Sequence, residues 1–196
     1  IYAHCLWLAY LFGDLDQAEQ MLEKTRNFSA VVPAKFEVIT HTFYSCLTGI
    51  ALLQKTKKKK WKKYAKKDIK GMVKWAEESP VNCSHKLLLL QAEMAALKGW
   101  KSSARKLFDS AVESASKSGF INEEALSYER AAIFFSRNGD GPSASRYFAR
   151  AHALYVHWGA TAKADRLHQE FSSMVITARR RESFKVFLRG RVRPQI

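Results

Sequence analysis

Two stretches of the chain decide its fold: GWKSSARKLFDSAVESASKSGF at residues 99–120 and GDGPSASRYFARAHALYVHWGA at residues 139–160. They match at a spacing of forty residues, with glycine at both ends and alanine, phenylalanine and alanine between. Recurrence at one spacing indicates a repeat protein, in which each unit buries its apolar face on the next. The repeat positions are Gly99, Ala104, Phe108, Ala111 and Gly119, then Gly139, Ala144, Phe148, Ala151 and Gly159.

Each copy has the features of the second helix of an antiparallel pair. The leading glycine closes the preceding helix, because glycine adopts a left-handed conformation without a Cβ penalty. The small, large and small residues at i, i+4 and i+7 then share one helix face, where the alanines let a neighbour approach. An earlier copy fits at Gly13, Ala18 and Leu22, with room for a diverged copy before Gly99.

This pattern predicts an all-α fold, a tetratricopeptide-like solenoid of about four antiparallel helix pairs plus a terminal helix. No segment shows the sustained alternation of a strand. The unit is longer than the roughly 34 residues of a tetratricopeptide and closer to HEAT repeats, and a plain helical bundle is the alternative. The predicted pairs are 1–27, 34–78, 83–118 and 122–157, with a terminal helix at 161–175 inside a repeat domain at 1–176 and a flexible basic tail at 177–196.

The net charge of +15 is concentrated in two segments. Residues 55–74 hold eleven lysines and one aspartate, residues 179–196 hold six arginines, one lysine and one glutamate, and the remainder is close to neutral. No stretch approaches the roughly 18 uncharged apolar residues of a membrane span. Cys5, Cys46 and Cys83 match no CxxC pair, so we expect buried free thiols and a reducing, cytoplasmic location.

Motifs of a reaction centre are missing from the sequence. It has no glycine-rich phosphate loop, no HRD or DFG kinase signature and no HExxH or paired-cysteine metal motif, so we expect no enzyme, cofactor or metal site. His85 lies in an apolar helix and is expected to be a helix-start or packing histidine. Glu77-Glu78 and Glu123-Glu124 are adjacent, so each pair points apart on a helix and predicts a solvated surface rather than acid–base chemistry.

The lysine-rich segment is the conspicuous surface feature. Its apolar residues recur at helical spacing, which predicts a basic loop at 55–60 followed by an amphipathic helix. One interpretation is a solvated face whose long side chains cover the core. The others are attraction to anionic lipid or an acidic partner, and nucleic-acid binding or nuclear import. The candidate anion-binding residues are Lys57, Lys58, Lys59, Lys60, Lys62, Lys63, Lys66 and Lys67.

Three sequence segments of the chain resemble a known family. They are Phe120 to Ala132, Trp158 to Lys163, and Trp75-Ala76 with Pro80, His85-Lys86 and Leu88 to Glu93. They are similar to the helical repeat region of very large multidomain signalling proteins. In that family a serine/threonine kinase-like domain and an AAA/STAND-type ATPase come first, and GAF or PAS sensors with a histidine kinase or another output domain follow. The resemblance covers about residues 1–173 and ends before the arginine-rich tail.

The resemblance implies a non-catalytic relay scaffold, excised from such a protein, whose kinase or ATPase activity would belong to other domains. Stacked pairs are expected to flex and to present a long groove. The partners would be other domains of the same polypeptide or signalling proteins, with no small-molecule substrate evident. The alternative functions are a basic adaptor that binds nucleic acid or anionic membrane through the lysines and Arg179-Arg180-Arg181, and an enzyme of unrecognised type.

Overall fold

A computed structural model describes residues 1–32 and 35–172. In these ranges the chain is helical, without strands, which confirms the all-α prediction. Residues 173–175 of the predicted terminal helix and the basic tail lie outside the described residues. The helices are α1 (Tyr2–Leu11), α2 (Leu15–Lys24), α3 (Phe28–Val31), α4 (Lys35–Thr56), α5 (Lys59–Glu78), α6 (Pro80–Leu97), α7 (Lys101–Lys117), α8 (Ile121–Arg137) and α9 (Gly141–His157), and residues 161–172 form a final helical segment.

The helices pack as consecutive pairs. α1 packs on α2, α4 on α5, α6 on α7, and α8 on α9. The second helix of one pair contacts the first helix of the next, and the first helices α1, α4, α6 and α8 contact one another in that order. This is the solenoid-like stack of four pairs expected from the sequence.

Five glycines close helices in the same way. Gly13, Gly99, Gly119, Gly139 and Gly159 have φ between 75° and 86°. At Gly99, the glycine N–H donates to the Ala96 carbonyl, and the next N–H donates to the Ala95 carbonyl, at 3.0 Å in both cases. The other four glycines repeat this pattern. A left-handed residue with these two bonds ends a helix and turns the chain back within about three residues.

The repeat positions have equivalent surroundings. The alanines and phenylalanines of both copies are buried, on α7 and on α9. Phe108 packs on Phe134 of the following first helix, with ring centroids 5.3 Å apart. Phe148 packs on Phe171 of the final segment at 4.5 Å. The final segment therefore takes the place of the first helix of a further pair.

The helix boundaries differ from the expectation in three places. The one-turn helix α3 was not predicted, since four residues are too few to show a period. The basic loop at 55–60 is wrong, because α4 continues to Thr56 and only Lys57 and Lys58 separate it from α5. α6 begins at Pro80 rather than at residue 83, because proline lacks only an N–H that the first turn does not need.

The burial of side chains bears on the three cysteines and on the apolar helix α4. Cys46 and Cys83 are buried free thiols, and Cys5 is partly exposed. Residues Phe36–Thr56 of α4 are long and apolar enough to cross a membrane by length and composition, so the expectation that no stretch approaches a membrane span is wrong by this criterion. Most of these residues are covered by neighbouring helices. A core helix satisfies the same criterion, so this property alone assigns no location to the chain.

Candidate functional site

The first helices of the solenoid carry a set of buried charges, here called the inner charge network. It comprises His85, Lys86, Glu93, Glu123, Glu129, Arg130 and Lys163. These residues come from α6, α8 and the final segment, and the Arg130 guanidinium lies beside the Tyr10 ring of α1. Burying charges is unfavourable unless each is paired and hydrogen-bonded, so the pairing of the network decides its role.

The first centre of the network joins α6 to α8. The Nε2 atom of His85 lies 2.6 Å from Oε2 of Glu123, and the Lys86 ammonium donates to the same oxygen at 2.9 Å. The Phe120 ring covers both groups, with the imidazole stacked at 4.6 Å and the ammonium at 4.6 Å from the ring centroid. Burial alone would raise the pKa of Glu123, but the His85 hydrogen bond and the Lys86 charge outweigh it and lower that pKa.

The second centre is a two-point ion pair between the same two helices. Nε of Arg130 lies 2.6 Å from Oε1 of Glu93, and one of its terminal nitrogens lies 3.2 Å from Oε2. The guanidinium lies 5.9 Å from the centroid of the Tyr10 ring. Burial lowers the pKa of Arg130, but Glu93, Tyr10 and Glu129 together raise it by more, so the guanidinium stays charged. Arginine suits this position because its planar fork matches a carboxylate.

The third centre joins the two ends of the described fold. Glu129 of α8 accepts hydrogen bonds from the Tyr155 hydroxyl and from the Lys163 ammonium, both at 2.7 Å. The Lys163 ammonium also donates to the main-chain carbonyl of Leu11, at the end of α1. The first pair and the final segment are thus in contact at Lys163.

The network residues pair with one another, and the Nδ1 atom of His85 is the exception, buried without a hydrogen-bond partner among the described residues. Glu123 and Glu124 are 4% and 7% exposed, so the predicted solvated surface at this pair is wrong, whereas Glu77 and Glu78 are exposed. The two buried glutamates do not form an acid–base pair, because the Glu123 carboxylate already holds His85 and Lys86. His85 is a packing histidine, as expected, with a carboxylate partner that the sequence did not predict.

The sequence did not predict the network, although its residues lie within the three sequence segments that resemble the signalling family. The feature of the sequence that could have revealed the network is the presence of charged residues on otherwise apolar helix faces. Glu93 lies within the apolar run that begins at Leu87, and Lys163 lies on the same face of its helix as Leu167. A charged residue at a core position predicts a buried partner, but the sequence does not say which residue the partner is.

The eight predicted anion-binding lysines lie together on the connection between α4 and α5 and on α5, and are here called the lysine face. All eight are exposed, while Trp61, Ala65 and Met72 of the same helix are buried. Lys60 lies 3.4 Å from both Glu19 and Glu23 of α2. The other seven form no ion pair with any residue in the ranges 1–32 and 35–172, so their charge faces solvent.

The described part of the chain contains no group of three or more histidine, cysteine, aspartate or glutamate side chains able to hold a metal ion. Comparisons with family models, with curated proteins and with solved structures found no match for the chain. In the ranges 1–32 and 35–172, fold and site together define an all-helical stack of helix pairs with an ion-paired interior and a strongly basic outer face.

Proposed function

We propose that the chain is a non-catalytic interaction scaffold that relays signals within a multidomain intracellular protein containing ATPase and kinase domains. The observation that carries this proposal is the use of the buried charges: the network residues bond to one another, which favours a role in holding helix pairs in register. The resemblance of residues 120–132 and 158–163 to signalling repeat regions supplies the multidomain context. Other domains of the same polypeptide, or signalling proteins, would bind to the outer surface in the cytoplasm.

The test of this proposal is the reading frame that encodes the chain, together with an assay of the purified chain. We expect kinase-like and ATPase motifs before this segment and sensor or output motifs after it. We also expect no nucleotide hydrolysis by the chain alone. Hydrolysis that survives repurification, or a reading frame without such domains on either side, would contradict the proposal.

A second candidate function is a basic adaptor for an anionic partner, and the lysine face favours it. Seven neighbouring lysines without an acidic partner produce a local positive field that attracts polyanions over about one Debye length, roughly 10 Å at 0.1 M salt. Lysines, unlike arginine forks, favour contact with phosphate groups over base reading. Anionic membrane and nucleic acid both fit this surface.

Matched triple variants test the adaptor function. Lys62, Lys63 and Lys66 are replaced by glutamine in one protein, and Lys98, Lys101 and Lys106, exposed on α6–α7, are replaced in the control. Both proteins lose the same charge. Elution from heparin and binding to vesicles of anionic lipid should shift to lower salt only for the first variant, because only it loses the clustered charge. Equal shifts would indicate nonspecific attraction and reject the adaptor function.

A further inference from the structure

A cavity of about 210 Å³ lies between α4 and α5, beside the turn that follows α2. Its lining from α4 includes His41 and Ser45, one helical turn apart, and its lining from α5 includes Asp68 and Gly71. Phe28, Tyr64 and Trp75 add aromatic walls, and Arg26 and Lys67 also line it. The cavity is separate from the inner charge network.

His41 brings an unsatisfied polar atom to this cavity. The residue is 6% exposed, and its imidazole stacks on the Phe28 ring with centroids 4.3 Å apart. The Nε2 atom is buried and has no hydrogen-bond partner among the residues described. Burial lowers the pKa of His41 to about 4, so the ring is neutral at pH 7. Buried polar atoms in native proteins normally have a partner, so this nitrogen indicates a missing one.

Asp68 lines the same cavity from α5 and has one carboxylate oxygen without a hydrogen-bond partner. Its Oδ2 accepts a hydrogen bond of 2.8 Å from the Ser45 hydroxyl, and its Oδ1 has no partner within the described ranges. Burial raises the pKa of Asp68 to about 6, against the opposing effects of Ser45 and Lys67. The group is therefore mainly a carboxylate at pH 7, with one oxygen available to a hydrogen-bond donor.

Gly71 keeps one wall of the cavity open. It lies in the interior of α5, where glycine weakens a helix relative to alanine. A Cβ atom added at Gly71 would meet nothing within 4 Å, and no left-handed φ requires glycine there. Neither packing nor backbone conformation therefore requires glycine at this position, which lines the cavity.

We propose that this cavity binds a small aromatic zwitterion of the class of the aromatic amino acids. The ammonium of such a ligand would donate to Asp68 Oδ1 and His41 Nε2, and its ring would pack among Phe28, Tyr64 and Trp75. Its carboxylate would face Lys67, which forms no ion pair within the described ranges, whereas Arg26 is already paired with Glu23. The cavity is below the roughly 300–1,000 Å³ typical of sites for drug-sized molecules, which fits a ligand of this size.

Calorimetric titration of the full chain tests the proposal with defined probes. These are L-phenylalanine, L-tyrosine and L-tryptophan, with phenethylamine and 3-phenylpropionate as probes that lack the carboxylate or the amine. At least one amino acid should bind about tenfold more tightly than both truncated probes, because it alone satisfies both ends. If none of the three amino acids binds below about 10 mM, the cavity holds water only and the proposal is overturned.

Three variants locate the binding. Gly71→Leu fills the cavity and should abolish binding of the amino acid, while Lys101→Gln on α7 should leave it unchanged. Asp68→Asn should weaken binding of the amino acid and of phenethylamine about tenfold and leave 3-phenylpropionate unaffected. The Asp68 variant decides the question if the leucine variant does not fold. Binding that survives both substitutions would show that the ligand lies elsewhere.

Discussion

Single charged residues in this molecule differ in energetic role according to their burial. Glu123 and Lys86 are each less than a tenth exposed and share one hydrogen-bonded centre, whereas Glu113 and Lys117 form an exposed pair one helical turn apart. An exposed pair contributes little because water and salt screen it. A buried pair gains little over apolar residues of the same shape, but removing one partner leaves an uncompensated charge in the core.

Replacing Glu123 with glutamine should therefore destabilise the fold by about 3 kcal/mol, because the Lys86 ammonium loses its counter-charge. Urea unfolding followed by circular dichroism measures the change. The double variant Glu123→Gln/Lys86→Met should recover much of the lost free energy of unfolding, since no unpaired charge remains. The control Glu113→Gln should show no measurable change. If the single and double variants are equally unstable, the Glu123 carboxylate acts through packing rather than charge.

His41 and Asp68 make opposite contributions to the pH dependence of stability. The folded-state pKa of His41 is lowered from 6.5 to about 4, so its contribution is complete above pH 6.5 and is lost as the pH falls. The folded-state pKa of Asp68 is raised from 3.8 to about 6, so its contribution is present below pH 3.8 and is lost as the pH rises. Between about pH 4 and pH 6 the two slopes oppose each other.

Each single variant should reveal the pH dependence of the free energy of unfolding that the other residue contributes. Asp68→Asn keeps an oxygen that accepts from Ser45 and removes the titration of Asp68. The titration of His41 then remains, so the free energy of unfolding should fall by about 3 kcal/mol on acidification from pH 6.5 to 4. His41→Gln should show the reverse, a free energy of unfolding that rises toward acid pH. Urea titrations at half-unit pH steps, referred to the unsubstituted chain, measure both slopes. Parallel pH profiles in the two variants would contradict these assignments.

At the scale of helices, the glycines that end helices differ in backbone conformation from the glycine inside α5. A left-handed φ disfavours every residue with a Cβ, while an interior glycine such as Gly71 has an ordinary φ and open space around it. The same substitution should therefore have opposite effects at the two kinds of position.

Gly99→Ala and Gly139→Ala should each destabilise the chain by about 1 kcal/mol, because alanine at a left-handed φ is strained. Gly71→Ala should stabilise it by about 0.5–1 kcal/mol through helix propensity. Thermal and urea unfolding of the three variants provide the comparison. Destabilisation by Gly71→Ala would mean that the α5 backbone at this point cannot accept a side chain, which would also remove the support that Gly71 gives to the ligand site.

Helix pairs and turns could be predicted from the sequence because their causes are local. Gly119 marks a turn and the Ala104–Phe108–Ala111 spacing marks a buried face, and neither inference needs a distant residue. The inner charge network could not be predicted, because it depends on the curvature of the stack. Lys163 meets Leu11 across almost the whole described chain, and Glu123 of α8 meets His85 of α6. A repeat predicts that units stack, but not how far the stack bends.

At the scale of the whole molecule, the contact between the two ends distinguishes this fold from an open solenoid. In an open stack each pair touches only its neighbours, so a terminal pair unfolds independently of the distant end. Here the Lys163 ammonium bonds to both Glu129 and the Leu11 carbonyl, so α1 is held by the final segment as well as by α2 and α4. Opening of α1 should therefore depend on a residue about 150 positions away.

Lys163→Met tests this coupling, since methionine keeps much of the side-chain volume and removes the ammonium. The amide hydrogens of α1 should exchange faster in the variant by a larger factor than those of α7, which packs on α6 and α8. Arg166→Met on the same helical segment is the control, because the Arg166 side chain is half exposed and pairs with Glu170 at the surface. It should leave exchange in α1 unchanged. Exchange that rises equally in α1 and α7 would show that Lys163 stabilises the fold as a whole and does not clamp its two ends.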